Sequence, residues 1–202
     1  MAHTVDSKTI ARAVDGDVSA QRVLYETHFR AAFRLAYLFL QDEGDAEEVV
    51  QDTFVYLLRN LHRYDSERGS FWTWLRVALV SRCRNRLRRR RANHVSLEVL
   101  EAAGQSLPDG EASDPAGALE KLGTRRIVWE ALQRVSPGAR DALVLRYYEG
   151  LSYPEIAGLL GCSYDAARAR VAYGKVQLRR LLVESEVESG CTNRVVPVGE
   201  VA

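Results

Sequence analysis

Between Arg63 and Arg91, arginines interleave with aromatic side chains. That pairing suits single-stranded nucleic acid, because rings offer stacking faces to bases while guanidinium groups attract phosphates. Trp72 is the candidate ring, and the basic run of Arg82, Arg84, Arg86 and Arg88 to Arg91 supplies the cations. A second group, Tyr164, Asp165, Arg168, Arg170 and Lys175, sits at the start of a helical pattern, where side chains can enter a major groove. Asp165 there also has a plainer role, as a carboxylate at the positive end of a helix dipole. Acids also crowd between Gln41 and Asp52, and on the residues alone Asp45, Glu48, Gln51 and Asp52 read as a solvated helix face. Catalytic groupings do not emerge. The histidines His3, His28, His62 and His94 are scattered, and no nucleophile elbow, phosphate-cradling glycine loop or metal-spaced cluster occurs. The expectation is a protein that binds, without cofactor or metal, and does not catalyse.

These groups must be held by helices, because apolar residues recur at three and four spacing and no alternating strand pattern persists. Val23, Leu24, Phe29, Phe33, Leu35, Ala36 and Leu40 mark one helix, and Val49, Val50, Phe54, Leu57, Leu58 and Leu61 the next. Asp45 with Glu48 three residues on predicts a capping-box-like start for that second helix. A third is expected to start near Ser70 and run through the arginines. Phe71, Trp74, Leu75 and Ala78 form its expected buried stripe, with Trp72 off the stripe and open to a ligand. From 93 to 122 the pattern dissolves into Gly, Ser, Pro and acids, as in a flexible linker.

Helical signals resume near Thr124, with Ile127, Val128, Ala131 and Leu132 as a stripe. Ser136-Pro137 and Ser152-Tyr153-Pro154-Glu155 read as helix starts, the latter a capping box. Gly161-Cys162-Ser163 joins a short helix to a longer basic one ending near Leu182, which is the helix-turn-helix arrangement. Residues 184–202 read as a disordered tail. The expected fold is all-α: a helical domain over 1–92, the linker over 93–122, and a helix-turn-helix domain over 123–183.

Composition narrows the class further. The chain has 202 residues and a formal net charge of +1, so general basicity is not its means of binding nucleic acid. Charge is sorted by segment instead: Arg76 to Arg91 contains no acid, while acids crowd into 41–52, 97–120 and the tail. Cys83, Cys162 and Cys191 lie far apart with no metal-ligand or CxxC spacing, which fits a reducing cytoplasm. The longest apolar stretch, Ala31 to Leu40, is interrupted by Arg34 and too short to span a bilayer, so no membrane insertion is expected.

The stretch from Arg140 through Tyr147-Tyr148-Glu149-Gly150-Leu151-Ser152-Tyr153-Pro154-Glu155-Ile156-Ala157 resembles region 4 of the sigma-70 family, the part that grips the minus-thirty-five promoter element. Ala166-Ala167 and Ala169 depart from the family pattern. Asp45-Ala46-Glu47-Glu48-Val49-Val50-Gln51-Asp52-Thr53-Phe54 resembles the part of region 2 that binds the polymerase clamp helices, which implies a polymerase-binding role for Asp45, Glu48, Gln51 and Asp52. Arg63 through Leu75, followed by the arginine helix, resembles the element that captures and reads the minus-ten sequence. That implies minus-ten contacts from Tyr64, Trp72, Arg82, Asn85, Arg86 and Arg89, and minus-thirty-five contacts from Tyr164, Asp165, Arg168, Arg170 and Lys175. The resemblance is to the small extracytoplasmic-function (ECF) sigma factors. It implies core RNA polymerase, promoter DNA and an anti-sigma factor as partners.

Strand separation costs about 1.4 kcal/mol per base-pair step, so a bubble of about ten pairs costs roughly 14 kcal/mol. A stacked base returns only about 1 to 3 kcal/mol. A small domain therefore captures one or two bases and leaves the rest of the bubble to a larger enzyme. The competing reading is a helix-turn-helix regulator that binds a palindrome as a dimer without joining polymerase.

Overall fold

The computed structural model describes residues 5–94 and 126–190. They form helices and turns, with no strand among the described residues. The chain divides into two compact units, Met1–Gln105 and Ser106–Ala202. The expected linker lies largely outside the described residues, as does the tail beyond Gly190.

The N-terminal unit comprises α1 (Ser7–Val14), α2 (Val18–Leu40), α3 (Glu43–Arg59) and α4 (Phe71–His94). Asp17 starts α2 by accepting hydrogen bonds from the N–H groups of Ser19 at 2.8 Å and Ala20 at 3.2 Å. Gln41 ends it in the left-handed region at φ 54°, its N–H returned to the Tyr37 carbonyl. Leu24, Ala32, Leu35, Ala36 and Phe39 bury one side of α2 against α3 and α4. Asp42, not Asp45, caps α3, accepting from the Asp45 N–H at 2.7 Å. Asp45 therefore stands inside the first turn, where its carboxylate is free of the cap and turns to α4.

Ser70 caps α4 through its hydroxyl oxygen, which accepts from the Thr73 N–H at 3.2 Å. The stripe that α4 buries is Phe71, Leu75, Leu79, Val80 and Cys83. Trp74 and Ala78, expected within it, are only half-buried. Four-residue steps carry the contact from Phe71 to Leu75 to Leu79 to Cys83, so the three-residue step to Trp74 falls at the edge of the seam.

The C-terminal unit comprises α5 (126–134), α6 (Pro137–Leu143), α7 (Tyr153–Leu160) and α8 (Tyr164–Gly190), with a wide π-type turn over Val144–Tyr148 extending α6. Trp129, Ala131, Leu132 and Val135 are buried on or just after α5, whereas Ile127 and Val128 are exposed, which shifts the expected stripe. Ser136 does not cap α6 by its side chain; its hydroxyl donates to Gln177 Oε1 on α8 at 3.0 Å. The capping-box glutamate at α7 is present as expected, with Glu155 Oε2 accepting from the Ser152 N–H at 2.8 Å and from its hydroxyl at 2.6 Å.

Gly161 closes α7 at φ 54°, and Ser163 starts α8 by accepting from the Ala166 N–H at 3.2 Å. Ile156, Ala157 and Leu160 on α7 are buried, as are Ala167 and Val171 on α8. Where α6 crosses α8, Gly174 is required: a Cβ there would lie 2.8 Å from Leu143 Cγ and 3.2 Å from the Ala139 carbonyl oxygen. The long helix α8 continues past Leu182 to Gly190, so the residues just after 183 are helical rather than tail. Glu184 helps explain it, pairing with Arg180 at 2.8 Å and with Arg134 at 3.5 Å.

Candidate nucleic-acid interface

In the N-terminal unit the loop before α4 is built by its own polar groups. Asp65 accepts from the Glu67 N–H at 3.0 Å, and the Tyr64 hydroxyl donates to the Gly69 carbonyl at 3.0 Å. The Tyr64 ring lies edge-on to Phe71 at 6.0 Å and tilted against Trp74 at 5.8 Å. Burial, followed by the neighbouring Asp65 carboxylate, pushes the Tyr64 phenol up from its ordinary pKa, so it stays a donor at neutral pH. Tyr64 thus shapes the loop, with its hydroxyl already engaged.

Trp72 is half-buried rather than standing clear of the core. Its ring lies nearly parallel to that of His28 at 6.1 Å, and His28 itself is fully buried beside Phe71. The indole is held from behind while part of it meets solvent, an arrangement that prepays the ordering of a stacking surface.

Along α4, Arg82 is half-buried, its guanidinium 4.9 Å above the Tyr56 ring of α3. Asn85 is exposed and accepts from Arg88 at 2.6 Å, and Arg89 is exposed. Arg86 faces α3, where it pairs with Asp45 at 2.5 Å and with Glu48 at 2.5 Å. Those two carboxylates, Asp45 first, hold the Arg86 pKa above its ordinary value, so the guanidinium remains a cation throughout. Asp45, Glu48 and Arg86 are thus partners of one another. Gln51 and Asp52 are exposed on the adjacent turn of α3, with Gln51 donating to Glu47 at 3.0 Å. Val55 and Tyr56 continue that face outward. Tyr56 is the residue the sequence reading missed; nothing in a surface-spaced tyrosine announces that an arginine on the next helix will rest on it.

In the C-terminal unit, Tyr164, Asp165, Arg168 and Lys175 are exposed on the first turns of α8. The Tyr164 ring meets Tyr153 of α7 edge-on at 6.0 Å, and the Arg146 guanidinium covers Tyr153 at 4.9 Å. Arg146 is fixed in turn by donating to the Leu151 carbonyl at 2.7 Å. Arg170 sits apart. Two residues along a helix is about 200° of rotation from Arg168, and Arg170 is half-buried near Gly138 of α6. Arg168, Lys175 and Arg179 therefore share a side that Arg170 does not.

Among the described residues no group of His, Cys, Asp and Glu is arranged to hold a metal ion, and no helix is long and apolar enough to cross a membrane.

Comparison with known proteins gives the same two-part division. The family model for sigma-70 region 2 matches residues 24–93, and that for sigma-70 region 4 matches residues 125–178. The RNA polymerase sigma factor CarQ of Myxococcus xanthus is 33% identical, over 86% of this chain and 95% of its own. The ECF RNA polymerase sigma-E factor of Salmonella typhimurium is 30% identical, over 82% of this chain and 88% of its own. Among solved structures, CnrH in complex with the cytosolic domain of CnrY superposes with a TM-score of 0.57 at 27% identity, covering 88% of this chain and 96% of that one. The sigma factor RpoE bound to the anti-sigma factor NepR from Bartonella quintana has a TM-score of 0.61 at 20% identity, covering 80% and 95%, and shares the fold.

Proposed function

The chain belongs to the sigma-70 family of RNA polymerase sigma factors, in its ECF branch, and we propose that its two units divide one task, promoter selection for core RNA polymerase. The N-terminal unit binds core through the exposed face of α3 around Gln51 and Asp52 and takes an unpaired minus-ten base against Trp72. Arg82, Asn85 and Arg89 of α4 face the same strand. The C-terminal unit lays α8 in the major groove of the minus-thirty-five element, where Arg168 reads base edges and Lys175 neutralises phosphate. Tyr164, backed by Tyr153, packs at the groove edge. The protein performs no catalysis; the polymerase does.

The observation that carries this reading is the order of two separate sigma regions on one chain, each with its exposed polar face on the helix that the reading requires. A stand-alone helix-turn-helix regulator would need only the second. An anti-sigma factor is the expected regulator; the structurally similar RpoE was solved with the anti-sigma factor NepR, and CnrH with the cytosolic domain of CnrY. The site of action is the cytoplasm, where polymerase works.

Retention on core tests the assignment. Purified core polymerase mixed with the full chain is expected to co-elute with it, and Asp52→Arg is expected to weaken that retention severalfold. If core fails to retain the wild-type chain, the assignment is wrong.

A further inference from the structure

The cluster between α3 and α4 does not fit the separate roles that its members receive above. Asp45 is buried, yet its Oδ1 accepts from Arg86 Nη2 at 2.5 Å while its Oδ2 pairs with Arg90. Glu48, one turn on, grips the same Arg86 guanidinium with both oxygens, at 3.2 Å and 2.5 Å. Asp42 reaches Arg90 at 3.3 Å, and Arg90 also donates to the Leu40 carbonyl at the end of α2 at 3.4 Å. Two guanidinium groups thus bind three carboxylates and a carbonyl, and join α4 to both α2 and α3.

A guanidinium leaving this cluster for a DNA phosphate would abandon Asp45 as a buried carboxylate with less compensation, the costly half of breaking a buried pair. The planar fork of arginine meeting a carboxylate edge is also a geometry that a lysine does not reproduce. Phosphate contacts need the opposite, a cation projecting outward. Arg88 and Arg89 are exposed.

We propose that Asp45 is a positioning residue for the DNA-reading helix, and that Arg86 and Arg90 are committed to this clasp instead of to DNA. The inference rests on the sigma assignment in one respect: the clasp fixes α4, which faces the minus-ten strand, relative to α3, which faces polymerase. Arg82, set over Tyr56, and the exposed Arg89 are then the cations that α4 presents.

The full chain is compared with Arg86→Gln, Arg86→Lys, Asp45→Asn, the double variant Asp45→Asn/Arg86→Gln, and Arg89→Gln. Three quantities are read: the melting temperature of the N-terminal unit in the free chain, the salt dependence of single-stranded minus-ten oligonucleotide binding by the chain assembled with core, and promoter-directed transcription. Each clasp variant, Arg86→Lys included, is expected to lower Tm by about 4 °C or more. The double variant is expected to fall little further than the worse single, because both remove one interaction. The log–log salt slope is expected to stay at the wild-type value in Arg86→Gln and to flatten by about 0.7 in Arg89→Gln, the loss expected for one phosphate contact to a single strand. Promoter-directed transcription by Asp45→Asn should fall while its salt slope holds, which a lost DNA contact would not produce.

A slope flattened by Arg86→Gln, wild-type Tm and binding in Arg86→Lys, or additive losses in the double variant would each overturn the proposal. If Arg86→Gln does not fold, Arg90→Gln carries the same comparison with a smaller drop in Tm. If wild-type chain is not retained by core, the sigma assignment fails by itself, and the melting cycle on the free chain still decides the clasp.

Discussion

The basic helices of the two units dispose of several of their cations differently. On α4, Arg82 rests over Tyr56 while Arg86 and Arg90 are bound by Asp42, Asp45 and Glu48. On α8, Arg168, Lys175 and Arg179 stand exposed, with no acidic partner among the described residues. The tasks proposed for the units account for the contrast. Reading an intact duplex needs side chains that project into a groove from a helix already stable without them. Catching an unpaired base needs a fixed aromatic surface and a frame that keeps its place, so part of the charge on α4 goes into the frame. On the proposed clasp, a count of arginines in the sequence overstates the contacts that the first unit offers to DNA.

The largest effect expected from disturbing this comparison lies in the frame of the second unit. Gly174→Val would drive side-chain atoms into Leu143 and the Ala139 carbonyl, costing about 1 to 3 kcal/mol or more in urea unfolding of the C-terminal unit. The N-terminal transition should not move. Next in size is a contrast within α8. Arg168→Ala should weaken binding to a minus-thirty-five duplex by about 1 to 3 kcal/mol, the range for one base-edge contact, whereas Arg170→Ala on the opposite side should change that binding little. Equal losses in a binding titration would mean that the helix enters the groove by another face.

Trp72→Ala should cost about 1 to 2 kcal/mol of single-stranded minus-ten binding by the core-bound chain, and leave minus-thirty-five duplex binding unchanged. Fluorescence anisotropy with each oligonucleotide separates the two. The smallest effect concerns Asp17, whose carboxyl is held below its ordinary value of 3.8 by a hydrogen bond from Arg12 and then by the Ala20 N–H. A folded-state pKa below the unfolded one adds stability that is complete above the unfolded value and is lost as pH falls through the folded one. Between about pH 5 and about pH 2, Tm should therefore fall less steeply in Asp17→Asn than in the wild type.

Much of the architecture was legible because its signals are local. Gly161 with Ser163, Ser152 with Glu155, and Ser70 before an apolar run each state a helix boundary within a few residues, and the helices begin and end there. The exposed face of α8 follows from the same turn, which is why Arg168 and Lys175 could be placed from spacing. What the sequence concealed depends on partners distant along the chain. Asp45 looks like a cap until Asp42 takes that place, and only the packing of α4 on α3 brings Arg86, 41 residues away, against it. Trp74 and Trp72 were assigned to inside and outside by one helical stripe, but the stripe is set by where α2 lies, and His28 of α2 meets Trp72. The helix past Leu182 was hidden for a similar reason, since Glu184 is steadied partly by Arg134, which is 50 residues away.

Run-off transcription from a library of promoter fragments, with core polymerase and with or without this chain, tests the division of labour most directly. The account predicts new start sites that appear only with the chain, share two short elements at constant separation, and disappear when either Trp72 or Arg168 is replaced by alanine. Identical start sites with and without the chain, or new ones that survive both replacements, would contradict it.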